Sequence, residues 1–362
     1  MTENDFIPNQ NLAYPQSGSI GWKAPSNIAL IKYWGKRNNQ IPASPSLSFT
    51  LSTSVTETIL KFSKRSKVTG SFSFDFRFED RPKEAFKPKL VTFFKRVERY
   101  LPFLRTYHFE IESSNSFPHS SGIASSASAM AALALCLLEI EKAASSEMTA
   151  KEFMQKASFL ARLGSGSACR SIEGDLVQWG QTPSITNSSD LYGISYPFAV
   201  HQNFKSFQDT ILLVHKGQKT VSSTMGHQLM KGHPFAHNRF AQAHKNLEKL
   251  QSILKDGDLE AFINIVESEA LTLHAMMMTS QPYFILLLPN TLKIINKIWL
   301  FRKETAIPIC FTLDAGANVH VLYPESQKEA CMQFIQTELV DCCEQGQYIC
   351  DAVGKGAAPI IA

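Results

Sequence analysis

Small hydroxyl residues crowd the stretch Asn115-Ser-Phe-Pro-His-Ser-Ser-Gly-Ile-Ala-Ser-Ser-Ala-Ser128, which joins a strand-like segment to a helix-like one. Around Gly122 the side chains are small enough for backbone N–H groups to approach a polyphosphate. The positive end of the following helix dipole would face the same negative charge. Ser125, Ser126 and Ser128 could add hydroxyl contacts, although the same composition also suits a Ser-rich helix cap. No Gly-Lys-Ser/Thr closes the loop, which argues against a P-loop NTPase. Further on, Gly164-Ser-Gly-Ser-Ala-Cys-Arg170 offers a guanidinium whose planar fork fits a phosphate, or a surface ion pair. Asp314 closes a strand-like run and precedes Ala315-Gly316, so it is either a turn residue or a carboxylate with room for a ligand beside it. His233 and His237 have the i, i+4 spacing of a helical metal pair, but Pro234 stands where the metal motif needs Glu, so a structural or surface role is expected.

Strands and helices must bring these stretches together. Residues 19–58 read as strands interrupted by a functional loop, and a hairpin-like segment follows. Phe72, Phe74, Phe76 and Phe78 alternate with polar residues at period two, marking a half-buried strand with one aromatic face. Helices are expected over 88–99, 129–140 and 150–163, the last ending at Gly164, and strands over 107–113, 209–215, 309–314 and 319–323. There is no internal repeat.

At 362 residues the chain is long enough for two packed lobes, and 44% hydrophobic with 19% charged residues describes an ordinary globular protein. Its net charge of +4 is too small to imply nucleic acid, and the cluster Lys61, Lys64, Arg65 and Lys67 suits a solvated hairpin. No apolar run reaches membrane-spanning length, and the polar start lacks the features of a signal peptide, so a cytoplasmic protein is expected. Seven scattered cysteines without CxxC spacing point to reduced thiols.

The run Ala24-Pro-Ser-Asn-Ile-Ala-Leu-Ile-Lys-Tyr-Trp-Gly-Lys36, then Pro45-Ser-Leu-Ser-Phe-Thr50, resembles the N-terminal signature of the mevalonate diphosphate decarboxylases, members of the GHMP kinase superfamily. Pro118 to Ser128 resembles the superfamily's ATP loop, Gly164 to Ser171 the substrate-phosphate loop, and Phe311-Thr-Leu-Asp-Ala-Gly-Ala-Asn318 the segment with the catalytic aspartate. Ser268 to Ala275 and Gly354-Lys-Gly356 are also similar, so the resemblance covers nearly the whole chain after Ser19.

The resemblance implies an α+β, GHMP kinase-like two-lobed fold. A flexible arm (1–18) would precede a ribosomal protein S5 domain 2-like ATP-binding lobe (19–205) and a ferredoxin-like C-terminal lobe (206–362). It implies ATP-dependent decarboxylation of (R)-mevalonate 5-diphosphate to isopentenyl diphosphate by a homodimer, with ATP and Mg²⁺ and with no nucleic-acid or membrane partner. Asp314 would take the C3 hydroxyl proton and Lys32 would stand beside it. Tyr33, Trp34, Gly35, Lys36, Ser165, Gly166, Ser167, Ala168, Cys169, Arg170 and Thr224 would hold the diphosphate. Pro118, Ser120, Ser121, Gly122, Ile123, Ala124, Ser125, Ser126 and Ser128 would hold ATP, with Mg²⁺ near Ser125, Ser126 or Ser128. Two rival readings stay within the superfamily, a mevalonate 5-phosphate decarboxylase and a C3 kinase; a third is a non-catalytic nucleotide-binding regulator. Two stretches depart from the family pattern: His119 in the ATP loop and His227-Gln-Leu-Met-Lys-Gly-His-Pro234 after Ser222-Ser-Thr-Met-Gly226. Lys87 and Lys89 are the candidates for a further basic substrate contact.

Overall fold

The computed structural model describes residues 1–8, 12–118, 123–145, 147–217 and 223–360. β1 (Ser17–Ile31) and β2 (Ser46–Lys64) run antiparallel, with register shifts between Pro25 and Asn27 and between Ala29 and Ile31. Such irregularities bend a strand and re-aim the side chains around them. β3 (Ser73–Phe78), β4 (Arg81–Pro82) and β5 (Tyr107–Asn115) extend the sheet in the order β1-β2-β5-β3-β4. The expected hairpin is present only as the short antiparallel pair of β3 with β4; β3 does not pair with β2 and runs parallel to β5 instead. Both edges of β2 are already taken, by β1 and by β5. The aromatic face of β3 meets α1 (Lys87–Val97), where Phe74 lies edge-on to Phe94 at 5.3 Å.

α2 (Ser125–Ala144) is buried along most of its length against this sheet, and α3 (Ala150–Gly164) begins at a Thr149/Glu152 capping box. β6 (Leu176–Trp179) pairs with residues 46–49 of β2 and carries the short β7 (Ile194–Ser195). The described part of the N-terminal arm, expected to be flexible, is anchored: Phe6 stacks on Phe159 at 4.1 Å, and Tyr100 donates to Glu3.

After α4 (Gln202–Lys205) comes β8 (Gln208–Leu212), then the helices α5 (Ser223–Gln228), α6 (Ala236–Asp256), α7 (Leu259–Met278) and α8 (Pro289–Thr305). β9 (Cys310–Thr312), β10 (Val319–Tyr323), α9 (Lys328–Phe334) and β11 (Tyr348–Ala352) complete a second antiparallel sheet in the order β11-β8-β10-β9. The chain then crosses back, and β12 (Ala358–Pro359) pairs with β1 at Trp22 and Lys23.

The two sheets share a core in which Ile28, Leu30 and Phe49 of the first pack with Phe207, Ile211 and Phe262 around the second. Asp351 on β11 joins them as well, accepting from the backbone N–H groups of Ser52 at 2.8 Å, Thr53 at 2.9 Å and Ser54 at 2.8 Å. All seven cysteines are free thiols, six of them buried. Among the described residues no helix is long and apolar enough to cross a membrane.

Candidate active site

β1 ends at Ile31, and the next residue, Lys32, is only 1% exposed. Its backbone is gripped from both sides. The N–H donates to Glu269 Oε2 at 2.9 Å, and the carbonyl accepts from Arg239 Nη2 at 3.1 Å. Arg239 of α6 and Glu269 of α7 are themselves a buried ion pair, and Asn246 donates to Glu269 Oε1 at 2.7 Å. Lys32 Nζ is thereby delivered to within 3.2 Å of Asp314 Oδ1, just beyond β9. The Asp314 carbonyl accepts from His274 Nε2 at 3.1 Å, and its side chain keeps 28% of its exposure while that of Lys32 keeps 2%. The pair is therefore open on the carboxylate side. Burial holds the Lys32 ammonium below the ordinary lysine range; Asp314 and Glu269 oppose that shift, and the nearby Arg170 charge adds to it.

Arg170, on the turn Gly166–Ser171, is also buried. Its donors meet neutral acceptors: Nε donates to Asn27 Oδ1 at 3.3 Å and Nη1 to Ser46 Oγ. Among the described residues no carboxylate lies within ion-pairing distance of it. A buried cation with only neutral partners is costly unless an anion joins it. Burial accordingly lowers the Arg170 pKa, while Cys169 and Asp314 counteract the shift. Asn27 also fixes the turn, donating to Ser171 Oγ at 2.8 Å and to the Ser167 carbonyl at 3.3 Å. Ala168 and Cys169 are buried, and burial pushes the Cys169 thiol up to about 12, which disfavours the thiolate.

Tyr33 packs on Trp179 with centroids 4.7 Å apart, and its buried hydroxyl has no partner among the described residues. The Trp34 ring belongs to an apolar cluster with Met230, Leu273 and Met277, so its contribution is to packing. Gly35 has φ +97°, a conformation side chains disfavour, and a Cβ there would lie 2.9 Å from the Phe240 ring. Lys36 Nζ donates to Gln40 Oε1 at 2.8 Å, and burial, then Arg96, lowers its pKa.

Ser120, Ser121 and Gly122, with His119, lie outside the described residues, as does the side chain of Thr224. Pro118 is exposed, and the carbonyl of buried Ile123 accepts from Ser26 Oγ at 2.6 Å. Helix α2 starts at Ala124 in a left-handed conformation, φ 44°, with no side-chain cap. No described hydroxyl takes the capping role, and the Ala127 N–H of the first turn donates to the Ala124 carbonyl at 2.7 Å. Ser125 is half-buried and Ser126 exposed, the latter accepting from Lys89 Nζ at 2.7 Å. Beside them an apolar cavity is walled by Phe76, Phe78, Phe86 and Leu133. Ser128 is the correction: its side chain is fully buried and bonded to Thr56 Oγ1 at 2.6 Å, turned into the sheet rather than toward a ligand. Lys87 is also set aside, being paired with Glu84 at 2.8 Å. A polar cleft of about 500 Å³ between Arg37, Asp190 and His244 involves none of the candidate residues.

His233 is structural, accepting from the Phe235 N–H at 3.1 Å and bonding the Met276 carbonyl at 3.1 Å, and His237 is exposed. No acidic or histidine cluster able to hold a metal occurs among the described residues. Sequence reasoning missed Arg239, Glu269, Asn27, Ser46 and His227. Asn27 and Ser46 stand inside the quoted motifs, and Glu269 lies in the similar stretch from Ser268, but nothing in their spacing announces their partners.

Residues 24–190 match the diphosphomevalonate decarboxylase-like N-terminal domain, and residues 210–355 the mevalonate 5-diphosphate decarboxylase C-terminal domain. A diphosphomevalonate decarboxylase of Debaryomyces hansenii is 30% identical over 321 residues, covering 85% of this chain and 79% of the relative. One from Candida albicans is 28% identical, covering 86% of each. A chain solved with MVAPP, AMPPCP and magnesium superposes with a TM-score of 0.80 at 28% identity, over 96% of this chain and all of that one. The two matched domains and the full-length likeness in fold place this chain in the diphosphomevalonate decarboxylase family.

Proposed function

We propose that this protein catalyses the ATP-dependent decarboxylation of (R)-mevalonate 5-diphosphate to isopentenyl diphosphate, ADP, phosphate and CO2. The observation that carries the reading is the 3.2 Å Lys32–Asp314 pair beside the buried Arg170, whose hydrogen-bond partners Asn27 and Ser46 are both neutral. The half-open Asp314 carboxylate accepts the C3 hydroxyl proton as that oxygen attacks the γ-phosphorus of ATP, and ADP leaves. Lys32 orients Asp314 and offsets negative charge on the transferring phosphoryl group. The C3–O bond then breaks with phosphate as leaving group. The pair of electrons from the C–CO2 bond becomes the double bond.

Arg170 supplies a fork for the diphosphate, with the Tyr33 ring 6.0 Å from its guanidinium, and Lys36 adds a second positive charge for the same anion. The start of α2, with Ser125 and Ser126, faces the ATP phosphates, and the apolar cavity beside it accepts the base. Mg²⁺ would arrive with the nucleotide, with the Ser125 and Ser126 hydroxyls as the nearby protein donors, and would offset the charge of its phosphates. The test is incubation with (R)-mevalonate 5-diphosphate and Mg-ATP, following ADP, CO2 and isopentenyl diphosphate, with the 5-monophosphate in parallel. All three products from the diphosphate alone are expected. ADP without CO2 would make the protein a C3 kinase, and preference for the monophosphate would move the assignment to the neighbouring decarboxylase.

A further inference from the structure

We propose that His227 is a positioning residue for the substrate diphosphate, acting through its Nδ1 on the Gly35 amide and so on the whole Tyr33–Lys36 run. The proposal rests on the diphosphate reading above. His227 lies on α5, in a segment that departs from the family pattern, and it is buried. Its Nδ1 accepts from the Gly35 N–H at 3.0 Å, which places the ring proton on Nε2. The imidazole also packs against the two residues that precede this glycine, with centroids 4.2 Å from Tyr33 and 4.8 Å from Trp34. The approach is close enough to specify the preceding residue: a Cβ at Gly226 would stand 2.4 Å from the Trp34 ring. One side chain of the second half thus fixes three consecutive residues of the first, at the point where the chain turns from Lys32 toward Lys36.

Burial, and then the charges of Lys36 and Arg170, hold the His227 pKa down at about 3. The ring is therefore neutral at any working pH, and the Nδ1 lone pair is always present to accept. His227 is thus a fixed acceptor for a glycine amide at φ +97°, while the Gly35 carbonyl on the other side accepts from the Ala43 N–H at 3.2 Å.

The test compares His227→Asn, whose Oδ1 falls near the Nδ1 position, with His227→Gln and His227→Ala, which leave the Gly35 N–H without that acceptor. KM for mevalonate 5-diphosphate at saturating Mg-ATP, kcat and their pH profiles are measured, together with hydrogen exchange at the Gly35 amide. Loss of one buried acceptor is expected to raise KM about tenfold in the Gln and Ala variants. Because the lost interaction concerns binding, kcat should stay within about threefold, with the limbs of the pH profile unmoved. The Asn variant should recover most of the KM and keep Gly35 protected. Equal KM values in all four proteins, a fall in kcat with KM unchanged, or a Gly35 amide still protected in His227→Ala would each overturn the proposal. Exchange needs no substrate, so it decides the hydrogen bond by itself. Should the wild-type protein not turn over the diphosphate, the positioning role falls with that reading whatever the exchange shows.

Discussion

Replacing Arg170 by Met separates a binding role from a structural one, because the two predict opposite changes in stability. In the resting protein the guanidinium is buried and bonded to Asn27 and Ser46, both neutral. A buried charge so placed carries a desolvation cost of several kcal/mol. Hydrogen bonds to a charged group return roughly 1.5–3 kcal/mol each, so the two roughly cancel. Arg170→Met should then unfold at the same urea concentration as the wild type or a higher one.

Substrate affinity should move the other way. A phosphate charge about 4 Å from the guanidinium is attracted by roughly 4 kcal/mol at an effective dielectric of about 20. At about 1.4 kcal/mol per decade, that is close to three decades of affinity. Lys36 remains to offset part of the loss, so KM for mevalonate 5-diphosphate should rise by about two to three decades. Steady-state kinetics and urea unfolding on the same preparations measure both. A variant destabilised by more than about 3 kcal/mol, with KM unchanged, would show that Arg170 is a structural cation and refute the reasoning.

Asp314→Asn should abolish turnover while ATP still binds, measured by equilibrium dialysis; residual turnover at the wild-type rate would remove Asp314 as the base. Lys32 is held below the ordinary lysine range by burial, so the rate should fall on the alkaline side at a pH below that range as the ammonium is lost. Between its folded pKa and the ordinary value the unfolded chain binds more protons, so the contribution of Lys32 to stability rises with pH across that window. The stability difference between wild type and Lys32→Met, taken by urea unfolding at neutral and at alkaline pH, should therefore shift in favour of the wild type as pH rises, and no shift would contradict the burial account. Glu269→Gln leaves Arg239 without its carboxylate and should cost about 3–5 kcal/mol by urea unfolding. The double variant Arg239→Met/Glu269→Leu should regain most of that stability and still show reduced kcat, because the grip on the Lys32 backbone is gone.

How far the sequence carries the argument depends on which interactions are local. The aromatic alternation of β3, the helical spacing of α1 and the capping box of α3 are legible because each follows from residues a few positions apart. The pairing partner of β3 is not, since that choice depends on which strand edges are still open. Lys32, Arg170 and Asp314 could be singled out through resemblance, with chemistry suited to a polyanionic substrate. Their surroundings could not. Arg239 and Glu269 each read as ordinary charged residues on amphipathic helices, and only the packing of α6 against α7 at the end of β1 makes them a latch. Ser128 shows the converse, one serine of a suggestive run that its helical phase turns inward to Thr56.

In the proposed reaction the C3 oxygen takes up the phosphoryl group beside Asp314 and then leaves as phosphate. A single-turnover reaction of (R)-mevalonate 5-diphosphate labelled with ¹⁸O at the C3 hydroxyl, with mass analysis of the released phosphate, tests it most directly. The released phosphate should carry the label and appear together with CO2 and ADP. Unlabelled phosphate alongside ADP would mean that ATP is merely hydrolysed, and would contradict the assignment of Asp314 and Lys32 to phosphoryl transfer.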